Sequence, residues 1–170
     1  MQLIRPNLRL IKGGRYRELI FGNTRVTISE RPFGRPDGVF LEENTQLSLS
    51  GLPVSERADV AGGSVIIRHT KPTELLLIVN AGVGSEVRPG WLENAWERAF
   101  LEADRLHLQS IASPLVGCVG GAHLGEALAA LAGALLLGRY ANFRSLDLVC
   151  GDLAPIVYAK LRRYANPVRH

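Results

Sequence analysis

Apolar residues spaced by two open the chain: Leu8 and Leu10, Leu19 and Phe21, and Val26 and Ile28 alternate with polar or charged neighbours. That period marks half-buried strands, and Gly13-Gly14 and Gly22-Asn23 between them are turn signals, so residues 8–29 are predicted to form an antiparallel meander. Pro32, Gly34, Pro36 and Gly38 then interrupt the pattern. A short strand is expected at 39–41, and the weakly periodic stretch from Glu42 to Gly63 reads as a long loop with at most one short helix. Residues 64–69 and 74–80 are β-rich runs separated by Lys71-Pro72, and the unbroken apolar run 75–79 predicts a central strand covered on both faces.

The period then changes. Across residues 89–107, Trp91, Leu92, Ala95, Trp96, Ala99, Phe100, Ala103 and Leu106 fall on one helical stripe, with Glu93, Glu97, Arg98, Glu102 and Arg105 opposite and Pro89 in the first turn. Residues 111–116 form a β-branched apolar run. Residues 124–137 are too long for a strand and rich in Ala and Leu, which predicts a helix apolar nearly all round, with Gly133 admitting a close neighbour and Gly138 ending it. A further strand is expected at 145–150, then a helix capped by Asp152, with Ile156, Val157, Leu161 and Tyr164 inward and Pro167 as its end. Strands followed by three strand–helix pairs predict the α/β class: a three-layer α/β/α sandwich around a mixed sheet, with an N-terminal antiparallel strand extension. In such a sheet ligands sit at the carboxyl ends of the parallel strands, here 80–84, 117–121 and 150–152.

Length and charge refine this picture. A chain of 170 residues with 46% hydrophobic content fits one domain over 1–170, made of a basic β-meander extension at 1–35 and an α/β body at 36–170. The net charge of +4 is uneven: residues 1–35 hold eight basic residues against two acids, 36–110 hold six against eleven, and 111–170 hold six against three. The basic N-terminal surface suits the phosphates of a nucleic acid or nucleotide, or a protein partner; alternatively it guards an edge strand. No apolar stretch reads as an export signal, the most apolar window is shorter than a membrane span and holds Glu126, and two cysteines fit a reducing compartment. A cytoplasmic chain with no membrane partner is expected.

The candidate chemistry lies between strand 111–116 and the helix from 124. The intervening GCVGGAH places Gly117, Cys118, Val119, Gly120, Gly121, Ala122 and His123 where backbone N–H groups meet the positive end of a helix dipole, a recipe for holding an anion; a merely tight turn is the alternative. It is not a P-loop, because Glu126 and Ala127 follow the frame from Gly120 to Gly125 where Lys and Ser or Thr would stand. Nor is it a dinucleotide fingerprint, because Val119 stands where the second glycine belongs. Cys118 and His123 with Cys150 leave a zinc site a ligand short, so no metal or cofactor is implied.

The run SIASPLVGCVGG resembles the macro-domain pattern SIAFPxIxTGxxG, and PGWLENAWERAFLEADRLHLQ is similar to the helix before it. SVIIRHTKPTELLLIVNAG resembles the family's paired strands VITxGYxLPAKYVIHTVGP, and SLDLVCGDLAPIVYAKL its last strand and helix, so the likeness covers about residues 64–165 by order and spacing. It implies a fold that binds ADP-ribose or a relative and in some members hydrolyses ADP-ribose from proteins. Against the first-loop pattern VNAANxxLxxGGGV, FLEENTQLSLSG keeps Asn44, Leu47 and Gly51 in register, but Leu41 replaces the first asparagine and the glycine run is missing. Gly22-Asn23-Thr24 would answer to the family's GDI, which makes Asn23 the expected adenine contact.

Three readings follow: a divergent macro-like module that binds ADP-ribose or a related nucleotide diphosphate with little or no catalysis; an ADP-ribosyl hydrolase using Asn44 with Glu43 or Glu42; or a protein or nucleic-acid interaction module with a degenerate pocket.

Overall fold

The structure, a computed structural model, describes residues 10–11, 14–32, 34–49, 60–82, 87–118 and 123–165. In chain order the elements are β1 (Leu10–Ile11), β2 (Gly14–Phe21), β3 (Thr24–Ser29), β4 (Gly38–Asn44), β5 (Val65–Arg68), β6 (Thr73–Asn80), α1 (Pro89–Arg105), β7 (Ser110–Ser113), α2 (Leu124–Leu137), β8 (Ser145–Val149) and α3 (Ala154–Leu161). Eight strands form one mixed sheet in the order β1-β2-β3-β8-β7-β4-β6-β5. The inner strands β3, β8, β7, β4 and β6 run parallel. Antiparallel strands flank them, β2 with β1 on one side and β5 on the other. The α/β class, the mixed sheet and the antiparallel N-terminal strands are those the hydrophobic pattern predicts; Leu8, Gly13, Gly51 and Pro167 lie outside the described residues.

The helices follow from the crossovers. Both β6–α1–β7 and β7–α2–β8 cross the sheet in the same direction, and because parallel crossovers are right-handed, α1 and α2 fall on one face. There α3 packs beside α2 and against β3. Strand alternation presents Val26, Ile28, Phe40, Leu75, Leu77, Ile111, Leu146 and Leu148 to these helices in a single buried cluster. At its centre Phe100 stacks on Phe143 and Trp96 with ring centroids 5.3 and 5.7 Å apart, so Trp96 is a core residue. The connections 30–37 and 45–64 contain no helix among the described residues. Leu76 and Ile78, on the other face of β6, are buried too. The 75–79 run is thus covered on both sides, although its strand lies next to the edge.

Several local expectations are corrected. β4 does not stop at residue 41 but continues through Glu42, Glu43 and Asn44. Asp152 lies inside a 3-10 turn, Gly151–Leu153, and α3 starts after Leu153 with no side-chain cap. Only Ala154, Val157 and Leu161 of α3 are buried; Ile156 and Tyr164 are exposed because the short helix turns a narrow stripe inward. Trp91 is half-buried, its ring lying under the Arg88 guanidinium at 4.5 Å. Gly133 has open space where a Cβ would stand, so it admits no close neighbour.

Candidate ligand-binding site

The five parallel strands end on one edge of the sheet, at Ser29, Val149, Ser113, Asn44 and Asn80 in spatial order. Of the three segments expected to line a cleft, the described residues 80–82, 117–118 and 150–152 follow strands that end on this edge, joined by the end of β4 and by Glu30 after β3.

The end of β4 is the unusual part. It carries two consecutive acids into the interior, Glu42 at 8% exposure and Glu43 at 0%. Alternation sends them to opposite faces of the sheet. An Oε1 of Glu42 accepts the backbone N–H of Gly117 from the segment after β7. The Oε1 of Glu43 accepts the N–H groups of Asn44 at 2.9 Å and Leu49 at 3.0 Å, while its buried Oε2 makes no hydrogen bond among the described residues. A β-bulge between Glu43 and Asn44 in the ladder with β6 shifts the register where the strand meets the site.

Asn44 is 1% exposed and turned toward its own loop. Its Oδ1 accepts the N–H groups of Gln46 at 3.0 Å and Ser48 at 3.2 Å, and its Nδ2 donates to Ser48 Oγ at 2.6 Å. This is the side chain-to-backbone turn that asparagine favours. The same loop is tied to the end of β6, where Thr45 N donates to Asn80 O at 2.9 Å and Thr45 Oγ1 to Ala81 O at 2.9 Å. Asn80 itself, 4% exposed, accepts the Gly82 N–H at 3.2 Å. Gly82 has φ +143°, and a Cβ there would stand 3.0 Å from the Gln46 amide, so only glycine suits this close approach. Asn80 opens the 80–84 segment expected at the cleft, as the polar residue that closes the apolar run 75–79.

After β7 the chain turns tightly, with Val116 N donating to Pro114 O at 2.9 Å and Cys118 N to Leu115 O at 3.1 Å. Gly117 is buried with φ +103°, a conformation strained for any residue with a side chain. Val119, Gly120, Gly121 and Ala122 lie outside the described residues. His123 is the exposed N-cap of α2, and its side chain makes no capping hydrogen bond.

Burial, with the nearby Glu42 charge, raises the Cys118 thiol. Burial, reinforced by Asp147 and Cys118, pushes Cys150 up to about 12. A thiol held protonated is a poor nucleophile and metal ligand, which counts against both a Cys118–His123 dyad and a site shared with Cys150. No cluster of three potential metal ligands occurs among the described residues.

Asn23 is not brought to this edge. Phe21 pairs with Thr24, so Gly22-Asn23 is the exposed hairpin at the amino end of β3, on the opposite side of the sheet. Two open grooves also lie elsewhere: about 540 Å³ between 61–64 and α1, and about 600 Å³ between 34–37 and 70–73.

The Oceanobacillus iheyensis macrodomain, solved with ADP, matches 90% of this chain and 97% of its own with a TM-score of 0.69 at 14% identity. The chain has the macrodomain fold. A Trypanosoma brucei macrodomain in complex with ADP-ribose agrees, with a TM-score of 0.57 at 16% identity over 76% of this chain and 63% of its own. So does the macrodomain of Thermus aquaticus DarG, at 0.55 and 15% over 68% and 90%. No protein-family model and no curated protein matches the sequence. Within the macrodomain frame, Glu42 and Glu43 stand where the first-loop pattern has two alanines, and the carboxyl end of β3 carries Ser29 and Glu30 rather than Asn23.

Proposed function

We propose that the carboxyl edge of this macrodomain binds ADP-ribose or a related nucleotide diphosphate at the 117–123 turn, and that it does so with little or no hydrolysis. What supports binding is that five parallel strands end on one edge of the sheet, with the buried Gly117 after β7 and an N-terminus of α2 without a side-chain cap, in a fold whose solved examples hold ADP and ADP-ribose. What supports weak chemistry is that Asn44 and one oxygen of Glu43, the residues a hydrolase would aim at the ligand, are hydrogen-bonded within the 44–49 loop. Positioning is most of what such a site can contribute, and a misplaced group costs about a hundredfold.

The interaction-module reading draws on the charge of the N-terminal segment. Two of its arginines are already engaged, Arg17 over the Tyr158 ring at 4.9 Å and Arg25 with Glu18 at 2.9 Å. A thermal-shift panel of ADP-ribose, ADP and NAD separates the readings. A ligand at 100 times its dissociation constant stabilises by about 2.7 kcal/mol and moves Tm by several degrees. A flat response, confirmed by calorimetry, rejects nucleotide binding and favours the interaction module.

A further inference from the structure

We propose that the amino edge of the sheet, opposite the candidate nucleotide site, is a second binding surface that holds the phosphate backbone of a duplex nucleic acid. Backbone hydrogen bonds tie the starts of the parallel strands together: Arg25 N donates to Arg144 O at 2.8 Å, Arg144 N to Gln109 O at 2.9 Å, Asp37 N to Ser110 O at 3.0 Å and Thr73 N to Asp37 O at 3.1 Å. A cation stands at four of these five starts, Arg25 in β3, Arg144 just before β8, Arg35 before β4 and Lys71 before β6. Four steps of about 4.8 Å between neighbouring strands make the row about 19 Å long. One strand of a duplex presents a phosphate about every 3.4 Å along the axis, so about five or six phosphates span the row. Arg35, Lys71 and Arg144 are exposed and make no ion pair or side-chain hydrogen bond among the described residues, and Arg25, although paired with Glu18 at 2.9 Å, keeps its side chain 61% exposed. Asp37, the acid inside the row, is turned to the backbone: its Oδ2 accepts the N–H groups of Gln109 at 2.9 Å and Ser110 at 3.2 Å and braces the start of β7. Four cations against Glu18 and Asp37 leave the row net positive. Between Arg35 and Lys71, segments 34–37 and 70–73 border an open groove of about 600 Å³, with one cation contributed by each side. Three of the four cations are arginines, whose fork donates to two phosphate oxygens at once. Among the described residues, none of the exposed ones at these strand starts is aromatic, so nothing there stacks on unpaired bases, and the surface suits a duplex held through its phosphates without regard to sequence.

Fluorescence anisotropy of the full chain with labelled DNA and RNA duplexes of about 20 base pairs, and with the same DNA as a single strand, tests this at about 50 and about 200 mM salt. Four phosphate contacts predict that the logarithm of the binding constant falls with that of salt at a slope of about −3.6, a loss of about 150-fold between the two concentrations. Arg35→Gln combined with Lys71→Gln should weaken duplex binding at least about tenfold and make the slope shallower by about 2, and Arg144→Gln alone should make it shallower by about 1. Arg31→Gln combined with Arg98→Gln removes the same charge from beyond the carboxyl end of β3 and from the exposed side of α1, and should cost less than about threefold. All five residues are exposed, so every variant should melt as the parent does. This pattern with either duplex supports the proposal, and the tighter duplex identifies the source of the phosphates. Equal weakening by the two double variants would mean diffuse attraction to net charge and overturn it, as would tighter binding of the single strand or no saturable duplex binding at the lower salt. Displacement of the duplex by poly-glutamate as readily as by unlabelled duplex would overturn it in favour of an acidic protein partner. None of these readouts depends on whether ADP-ribose binds at the opposite edge.

Discussion

Replacing Asn44 with alanine distinguishes a residue that holds the scaffold from one that holds a ligand. Three hydrogen bonds are lost with the side chain, two accepted from the backbone of Gln46 and Ser48 and one donated to Ser48 Oγ. At about 1 kcal/mol each, with Ser48 exposed enough for water to replace part of the loss, the cost is about 2 kcal/mol. For a chain of this size that lowers Tm by roughly 4–8 °C. Chemical and thermal melts of the parent, Asn44→Ala and Asn44→Asp provide the assay. Asn44→Asp keeps the oxygen that both backbone groups use, so it is expected to lose less than about half as much. An Asn44→Ala protein that melts within about 1 °C of the parent yet loses most of its ADP-ribose affinity would refute the reasoning and return Asn44 to the ligand.

Gly133→Ala is expected to stabilise the protein by up to about 1 kcal/mol, because nothing stands within 4 Å of the added Cβ in α2 and alanine is the better helix former; a lower Tm would refute this. Asp104 accepts the N–H groups of Asn142 at 2.6 Å and Phe143 at 2.9 Å. Burial pushes its carboxyl up, but the backbone N–H groups of Phe143, Asn142 and Ala141, aided by His107, outweigh that and hold it below its usual value. A depressed carboxylate stabilises the fold above about pH 4 and ceases to as pH falls through the folded value, so Tm should fall more steeply below about pH 4 in the parent than in Asp104→Asn; parallel curves would count against it. Finally, both cysteines should react slowly with a thiol reagent at pH 8 in the folded protein and promptly in denaturant, since both thiols are held up by burial. Fast labelling of the native protein would reopen nucleophilic chemistry at Cys118.

Elements with strong periodicity were legible from the sequence. The alternation at Leu19, Phe21, Val26 and Ile28 gave the β2–β3 hairpin, and the stripe through Leu92, Trp96, Ala99 and Phe100 gave α1, because burial dictates both patterns. What the pattern hid was the end of β4. Acids are poor strand residues and end an apolar alternation, yet Glu42 and Glu43 are buried because backbone N–H groups from distant or later residues meet them, and one of those is 75 positions away. Motif register misled in a different way at Asn23. A glycine turn beside a strand looks the same at either end of it, and only the pairing of β2 with β3 shows which edge of the sheet it occupies. The α3 cap failed because Asp152 is the kind of residue that caps helices, while the chain spends that position on a 3-10 turn.

The central claim, that this chain of macrodomain fold takes a nucleotide diphosphate at the carboxyl edge of its sheet, is tested most directly by following backbone amide resonances during titration with ADP-ribose. The account predicts saturable shifts at Gly117, Cys118, Gly82 and Gly151, with the Gly22-Asn23 hairpin on the opposite edge unchanged. Shifts confined to that hairpin and the basic strands beside it, or no saturable shift at any amide, would contradict it.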